Sequence, residues 1–403
     1  MEEEKASLVC NDAIVAPIAP NPPIHVTLYQ LLTLSHESPR TMMKIQSLNI
    51  SVQTMDFFLI NAKQYRLNLS LNGILADIKC VFYDKLPREN WVMNENPMKS
   101  DKMTWTSSKT KMVWAPEERS FSGETLEVSV DPEFYTISIL ETDTALKSVT
   151  DHLAFLFHPK TVSIRLSVEQ FPDWINLCVW EFKEELTRVM INSMEQPMVI
   201  SHDDYRFLLE QGSKEKLLSF WMVFPPACFE YNEPLSLAKL SICGTVLWIK
   251  LLNLMTTKLE AVSLQNCRFY ADDLRALISL FLADFWPKLH FFDLGLQEKV
   301  CKQQLEKRVL RGWNPLPPDE NRRDRYFGQF SASCFHPYDC KDFLDIVSKS
   351  GRLASIGVDD QKFMMVVWEH WTPTPPAPST SSVSSEPEEE PLNPSDYDCD
   401  YNI

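Results

Sequence analysis

Between Leu259 and Leu294 the chain reads LEAVSLQNCRFYADDLRALISLFLADFWPKLHFFDL, and this stretch limits the fold more than any other. Val262 and Leu264 alternate with polar residues, as in a buried strand, and a turn is expected at Gln265–Asn266. Leu274, Leu277, Ile278 and Phe281 then recur at helical spacing behind Asp272 and Asp273, which suit the positive end of a helix dipole. Pro287 cannot continue that helix, and Leu289, Phe292 and Leu294 begin a second short strand. A strand–helix–strand unit of this kind buries one helix face on a parallel sheet and brings no chemistry of its own. Its first half, Leu259-x-x-Val262-x-Leu264-x-x-Cys267-x-Phe269, also fits the leucine-rich-repeat template, at roughly 30 residues per repeat.

The same alternation extends upstream. The pattern predicts strands at 134–140, 162–168, 189–191, 217–224 and 237–243, and helices at 146–157, 172–186, 203–210 and 246–255. His202-Asp203-Asp204 reads as a helix start whose carboxylates serve the dipole. Strands separated by such crossovers imply an α/β fold with a curved, mostly parallel sheet. Before it, runs at 48–52, 56–60, 65–71 and 74–83 form a β-meander, with Asn72-Gly73 as a hairpin turn. After it come a charged helix at 297–309 and strands at 326–335, 343–347, 353–358 and 363–368, turning at Ser350-Gly351 and Asp359-Asp360, that close the body as an antiparallel ribbon.

The remaining segments divide the chain. Residues 1–23 end in IVAPIAPNPP and read as a disordered, Pro-rich lead-in; residues 24–50 hold two short helical patterns around Leu28–Ser35 and Met42–Leu48. The main domain spans 51–370. Within it, 84–127 is polar and without periodicity, with Trp91, Trp105 and Trp114 dispersed through it, and reads as a mobile insertion. Residues 371–403 are Pro/Ser-rich, with seven acidic residues and no basic ones, and read as a disordered acidic tail.

Several function classes lose support here. A net charge of −16 argues against nucleic acid and anionic lipid as partners. No apolar run approaches a membrane span, and MEEEKASLVC lacks the marks of a secretory signal, so an intracellular site, cytoplasmic or nuclear, is expected. The ten cysteines then remain thiols, mostly as core residues. Nine glycines include no phosphate-cradling motif, and GxSxG and HExxH are absent. Cys334, His336 and Cys340 gather zinc-type ligands, but no second pair completes a four-ligand site. The expectation is a protein that is not an enzyme and carries no cofactor.

Three stretches, taken in order, resemble a known family. They are SLNISVQTMDFFLINAKQYRLNLSLNGI, the segment from Leu240 to Leu294 containing Trp248, Asp272-Asp273-Leu274 and Pro287-Lys288-Leu289, and FLDIVSKSGRLASIGVDDQKFMMVVW. Together they are similar to the F-box-associated region, type 2 and leucine-rich-repeat-like, of the nematode-expanded F-box proteins, over roughly residues 30–370. The resemblance implies a substrate receptor of a cullin–RING (SCF-type) ubiquitin ligase, docking a Skp-type adaptor and cullin and recruiting a target protein. The second half of an F-box is recognisable in Leu31-Leu32-Thr33-Leu34-Ser35 through Ile45. Its first half is replaced by the Pro-rich lead-in, and Pro39 ends a helix where the family continues one. The adaptor contacts that the resemblance leaves are Leu28, Tyr29, Leu31, Leu32 and Leu34, so weak or absent adaptor binding is predicted. The alternative is an interaction module of the same fold that has lost adaptor docking.

Overall fold

The computed structural model of the chain describes residues 52–71, 78–84, 117–131, 136–142, 144–211, 216–297, 307–313, 315–316, 326–327, 337–338, 340, 343–359 and 361–368. The first strands are β1 (Val52–Leu59), β2 (Gln64–Leu71), β3 (Ile78–Tyr83), β4 (Glu117–Phe121), β5 (Glu124–Asp131) and β6 (Thr136–Leu140). Helix α1 (Ala145–Phe157) leads to β7 (Thr161–Ser167), β8 (Leu186–Asn192) and the short β9 (Met198–Val199). Helix α2 (His202–Gln211) precedes β10 (Leu217–Trp221), β11 (Val223–Phe224), β12 (Lys239–Cys243) and β13 (Ala261–Cys267). Helix α3 (Ala271–Leu282) and β14 (Phe291–Leu296) follow, then the short pair β15 (Tyr326–Phe327) and β16 (Pro337–Tyr338), and finally β17 (Leu344–Val347), β18 (Leu353–Asp359) and β19 (Lys362–Trp368).

Fifteen of these strands form one sheet, ordered β17-β18-β19-β14-β13-β12-β10-β8-β7-β1-β2-β3-β6-β5-β4. From β1 to β14 the pairings are all parallel, and chain order matches spatial order from β7 onward. Successive right-handed crossovers that always step the same way lie on the same face of the sheet. Antiparallel pairings flank this run on both sides, through β2 and β3 at one end and through β19, β18 and β17 at the other. The sheet is therefore mixed, and the expectation of a mostly parallel one holds only for its middle.

The covered face is closed by one continuous apolar core. Phe57, Ile164, Val189, Phe220, Ile242, Leu264, Leu294 and Met365 come from the strands. Leu146, Val149, Leu153 and Leu156 line one stripe of α1, Tyr205, Leu208 and Leu209 one stripe of α2, and Leu274, Leu277, Ile278 and Phe281 one stripe of α3. Each helix thus buries the face that its spacing marks as apolar. Trp286, in the turn from α3 to β14, is wholly buried, and its indole N–H donates to Leu254 O at 3.1 Å. Just before β18, the Arg352 guanidinium donates to Trp286 O at 2.6 Å and to Leu289 O, which ties the antiparallel end to this crossover. Burial holds that guanidinium below its ordinary pKa, an effect that nearby Asp284 opposes.

Four expectations need correcting. Residues 172–186 are not a helix but two 3-10 turns, Trp174–Asn176 and Cys178–Glu181, and Leu186 already belongs to β8. Residues 246–255 are not a helix either: Val246 bridges to Cys267, and only Leu251–Leu254 makes a 3-10 turn. There the buried Asn253 takes over the work of backbone bonds. Its Nδ2 donates to Tyr231 O at 2.7 Å and Glu233 O at 2.9 Å, while its Oδ1 accepts from Lys250 N at 2.7 Å. The strand expected at 217–224 breaks at Met222, whose φ of 56° turns the chain between β10 and β11. The polar stretch read as an insertion is sheet from Glu117 onward. β4 and β5 pair there across Ser122-Gly123, whose positive φ angles of 47° and 88° suit a tight hairpin turn.

Candidate functional site

In a parallel sheet buried on both faces, strands read as unbroken apolar runs. These strands do not. Residues paired in register share a face, so the pairings trace rows across the sheet. One row on the side opposite the helices runs Asp56, Ser163, Arg188, Leu217, Lys239 and Ala261, from β1 to β13. The next row runs Phe58, Arg165, Met190, Ser219, Ser241, Ser263 and Asp293. Hydroxyls, cations and small side chains dominate where the other face holds Phe, Ile, Leu and Val.

The polar face is bounded at both ends. Toward β3 and β6, Val81, Tyr83 and Ser138 are buried. Toward β14 and β19, a second, small apolar cluster of Ala261, Phe291, Cys340, Phe343 and Val366 covers it. Beside that cluster Asp345, Ser355 and Trp368 form a chain: the Ser355 hydroxyl donates to Asp345 Oδ1 at 2.7 Å and accepts from Trp368 Nε1 at 2.7 Å.

Between these ends, at the starts of the parallel strands, lies a trough of about 500 Å³. Thr54, Asp56, Ser163, Arg188, Lys239 and Glu260 are among its walls. Its hydroxyls knit adjacent strands together. The Thr161 hydroxyl donates to Gln53 O at 2.9 Å and that of Thr187 to Val162 O at 3.2 Å. Lys216, almost fully buried, donates from Nζ to Lys183 O at 2.6 Å, and Lys239 meets Glu260 at 3.4 Å.

The arginines differ from these lysines. Arg165 lies diagonal to Arg188 on the next strand, half-buried, with its guanidinium 5.1 Å from the centre of the Phe58 ring. Burial and then repulsion from Arg188 hold its pKa below the ordinary arginine value, and Asp56 pulls the other way. Arg66 on β2 is paired with the same Phe58 from the opposite side and is exposed. Among the described residues, none of these three guanidiniums donates a hydrogen bond.

Little on this face resembles a catalytic constellation. Among the described residues no three His, Cys, Asp or Glu side chains come together as metal ligands. A thiol–imidazole contact, His202 Nε2 to Cys228 Sγ at 3.3 Å, occurs at the start of α2, and the His202 ring packs on Phe229. Asp203 and Asp204 do open that helix, and Asp204 N donates to the Ser201 hydroxyl at 3.1 Å, as the helix-start reading requires. Burial pushes the Cys80 and Cys267 thiols up to about 12, which fits core residues rather than nucleophiles.

Of the residues singled out in the sequence, Leu28, Tyr29, Leu31, Leu32 and Leu34 lie outside the described residues. So do Trp91, Trp105, Trp114, Cys334 and His336, whereas Cys340 is buried in the small apolar cluster. The residues of the trough were not singled out. Their signal was present: Asp56, Ser163, Arg165, Arg188, Lys239 and Ser241 occupy alternate positions of strands whose other positions are apolar. Such a pattern marks a sheet with one uncovered side.

The fold and the trough define an α/β protein built on a large mixed sheet, helix-covered on one face and polar on the other across its parallel strands. Compared with protein-family models, curated proteins and solved structures, the chain gives no match. Among the described residues no helix is long and apolar enough to cross a membrane.

Proposed function

We propose that this chain is a non-catalytic, substrate-recruiting subunit of an SCF cullin–RING ubiquitin ligase, working inside the cell in the cytoplasm or nucleus. In this reading residues 51–370 are a leucine-rich-repeat-like F-box-associated domain, and the curved parallel part of its sheet receives a target protein. The observation that carries the reading is the polar face over β1 to β13, where hydroxyls and charged side chains lie in rows across six neighbouring strands and offer a protein partner many hydrogen-bonding groups at once. The motif resemblance supplies the rest: Leu28, Tyr29, Leu31, Leu32 and Leu34 would meet a Skp-type adaptor, with cullin beyond it. No cofactor or metal takes part.

A second reading is favoured by the Pro-rich lead-in that replaces the first half of the F-box. It keeps the interaction face and gives up adaptor docking. Affinity purification of the full chain separates the two. Co-purification of a Skp-type adaptor and cullin is the expected result of the first. Reproducible capture of a target without either component sinks the first and leaves the second. Turnover of a substrate, lost on replacing a single carboxylate or cysteine, would overturn both.

A further inference from the structure

The chain as a whole is strongly acidic, yet its polar sheet face is locally cationic. Arg66, Arg165 and Arg188 stand on three strands adjacent in the sheet apart from β1, which lies between β2 and β7. Arg66 and Arg165 flank Phe58 in one row, and Arg188 sits one row away at the trough wall. Lys239 continues the strip on β12 but is engaged by Glu260 at 3.4 Å, and Lys216 is engaged by a backbone carbonyl. Among the described residues these three guanidiniums are thus the cations of the strip with donors to offer. A half-buried arginine repelled by a second arginine is held there at a cost, which an arriving anion would offset.

From this arrangement we infer that the arginine strip beside the trough receives a carboxylate-rich segment of a partner protein, with glutamate or aspartate side chains on Arg188 and Arg165. The inference rests on the interaction reading above and names the chemistry of its partner. Arginine forks match a carboxylate by paired, charge-assisted hydrogen bonds. Asp56 and Glu260 decide between the two anions available to a protein segment. Both stand in the trough, Asp56 in register with Ser163 beside Arg188. They compensate part of the positive charge, so a singly charged carboxylate is accommodated where a doubly charged phosphate meets repulsion. Past the strip, Ser219, Ser241 and Ser263 lie in register on three neighbouring strands and leave a shallow floor for an extended chain.

The test uses the full chain and fluorescence anisotropy with labelled peptides of alternating glutamate and valine, and their glutamine, lysine and phosphoserine counterparts. The glutamate probe binds and is weakened by added salt, while the glutamine and lysine probes bind at least about tenfold more weakly. Arg188→Gln lowers glutamate-probe affinity by about tenfold, and Arg188→Lys by less, because a lysine keeps the charge and loses the fork. Lys349→Gln, an exposed charge on the β17–β18 turn, leaves affinity unchanged. Thermal melts of Arg188→Gln matching those of the parent chain exclude misfolding as the cause; Arg66→Gln, another exposed position, serves as the second variant if they differ.

Equal binding of the glutamine probe, no effect of either arginine substitution, or preference for the phosphoserine probe overturns the inference. No binding of any probe overturns it too. In those cases the affinity purification tells the two failures apart. A target captured equally by the parent chain and by Arg188→Gln means that the partner's chemistry was misread, whereas no target at all removes the interaction reading itself.

Discussion

The two faces of the parallel sheet are built from the same strands and meet opposite fates. On one, Phe57, Ile164, Val189 and Leu264 are sealed beneath helices in a single core; on the other, Asp56, Ser163, Arg188 and Ser263 face the trough and its margins. The strand period of two separates them. The two sides divide the labour: stability comes from one side, so the other is free to carry charge and hydroxyls that a packed interface would have to desolvate. Crossovers that all step the same way make that division possible, because they put the described helices on one side only.

The packing of the sealed side is tested most directly at Trp286. Its side chain is wholly buried on the sealed side, so Trp286→Ala is expected to cost about 4 kcal/mol, read as a lower urea midpoint at unchanged slope. A loss under about 1 kcal/mol would mean that this side is not close-packed.

A smaller effect is expected at Asp284, where the sealed side is latched to the antiparallel end. Asp284 accepts from Ser350 N at 2.7 Å and from the Ser350 hydroxyl at 2.6 Å. Burial alone would raise its pKa, but hydrogen bonds from Ser348 and Ser350, helped by Arg352, hold it below the ordinary value of 3.8. The folded carboxylate therefore releases its proton more readily than the unfolded one. Its stabilisation is complete above pH 3.8 and drains away as pH falls through the lowered folded value. Asp284→Asn is expected to cost under about 1 kcal/mol at neutral pH. The gap from the parent chain should narrow on acidification, and thermal melts in which it widens instead would reverse the assigned direction.

The smallest effect belongs to the polar side. Ser241 lies half-buried in mid-row on the polar side, and Ser241→Ala should change stability by no more than about 0.5 kcal/mol. A loss several times larger would reveal a hidden covering layer and would make the two sides alike.

Legibility in the sequence followed the source of each element's stability. The unit from β13 through α3 to β14 was readable because its helix carries its own signals: acidic residues in the first turn, an uninterrupted apolar stripe and a proline beyond the end. The stretch around Trp248 offered the same apolar spacing and is not helical. Its path follows from Asn253 binding two carbonyls of the 231–233 segment, a partnership between distant residues that no local period encodes. Pro172–Leu186 failed for a similar reason, since Trp180 Nε1 bonds Trp174 O at 2.7 Å across short 3-10 turns. The trough was half legible: polar positions could be counted strand by strand, but not which of them would become neighbours.

Local signals in the chain were enough for the α/β class, the ends of α1, α2 and α3 to within a residue or two, and the antiparallel close from β17 to β19, because periodicity, dipole charges and turn residues act within a few positions. That Arg66, Arg165 and Arg188 share one face, and that this face has a trough, came from the assembled sheet. Register across strands far apart in the chain sets those neighbours, and register is chosen by the packing of the opposite, sealed face rather than by the residues that benefit from it.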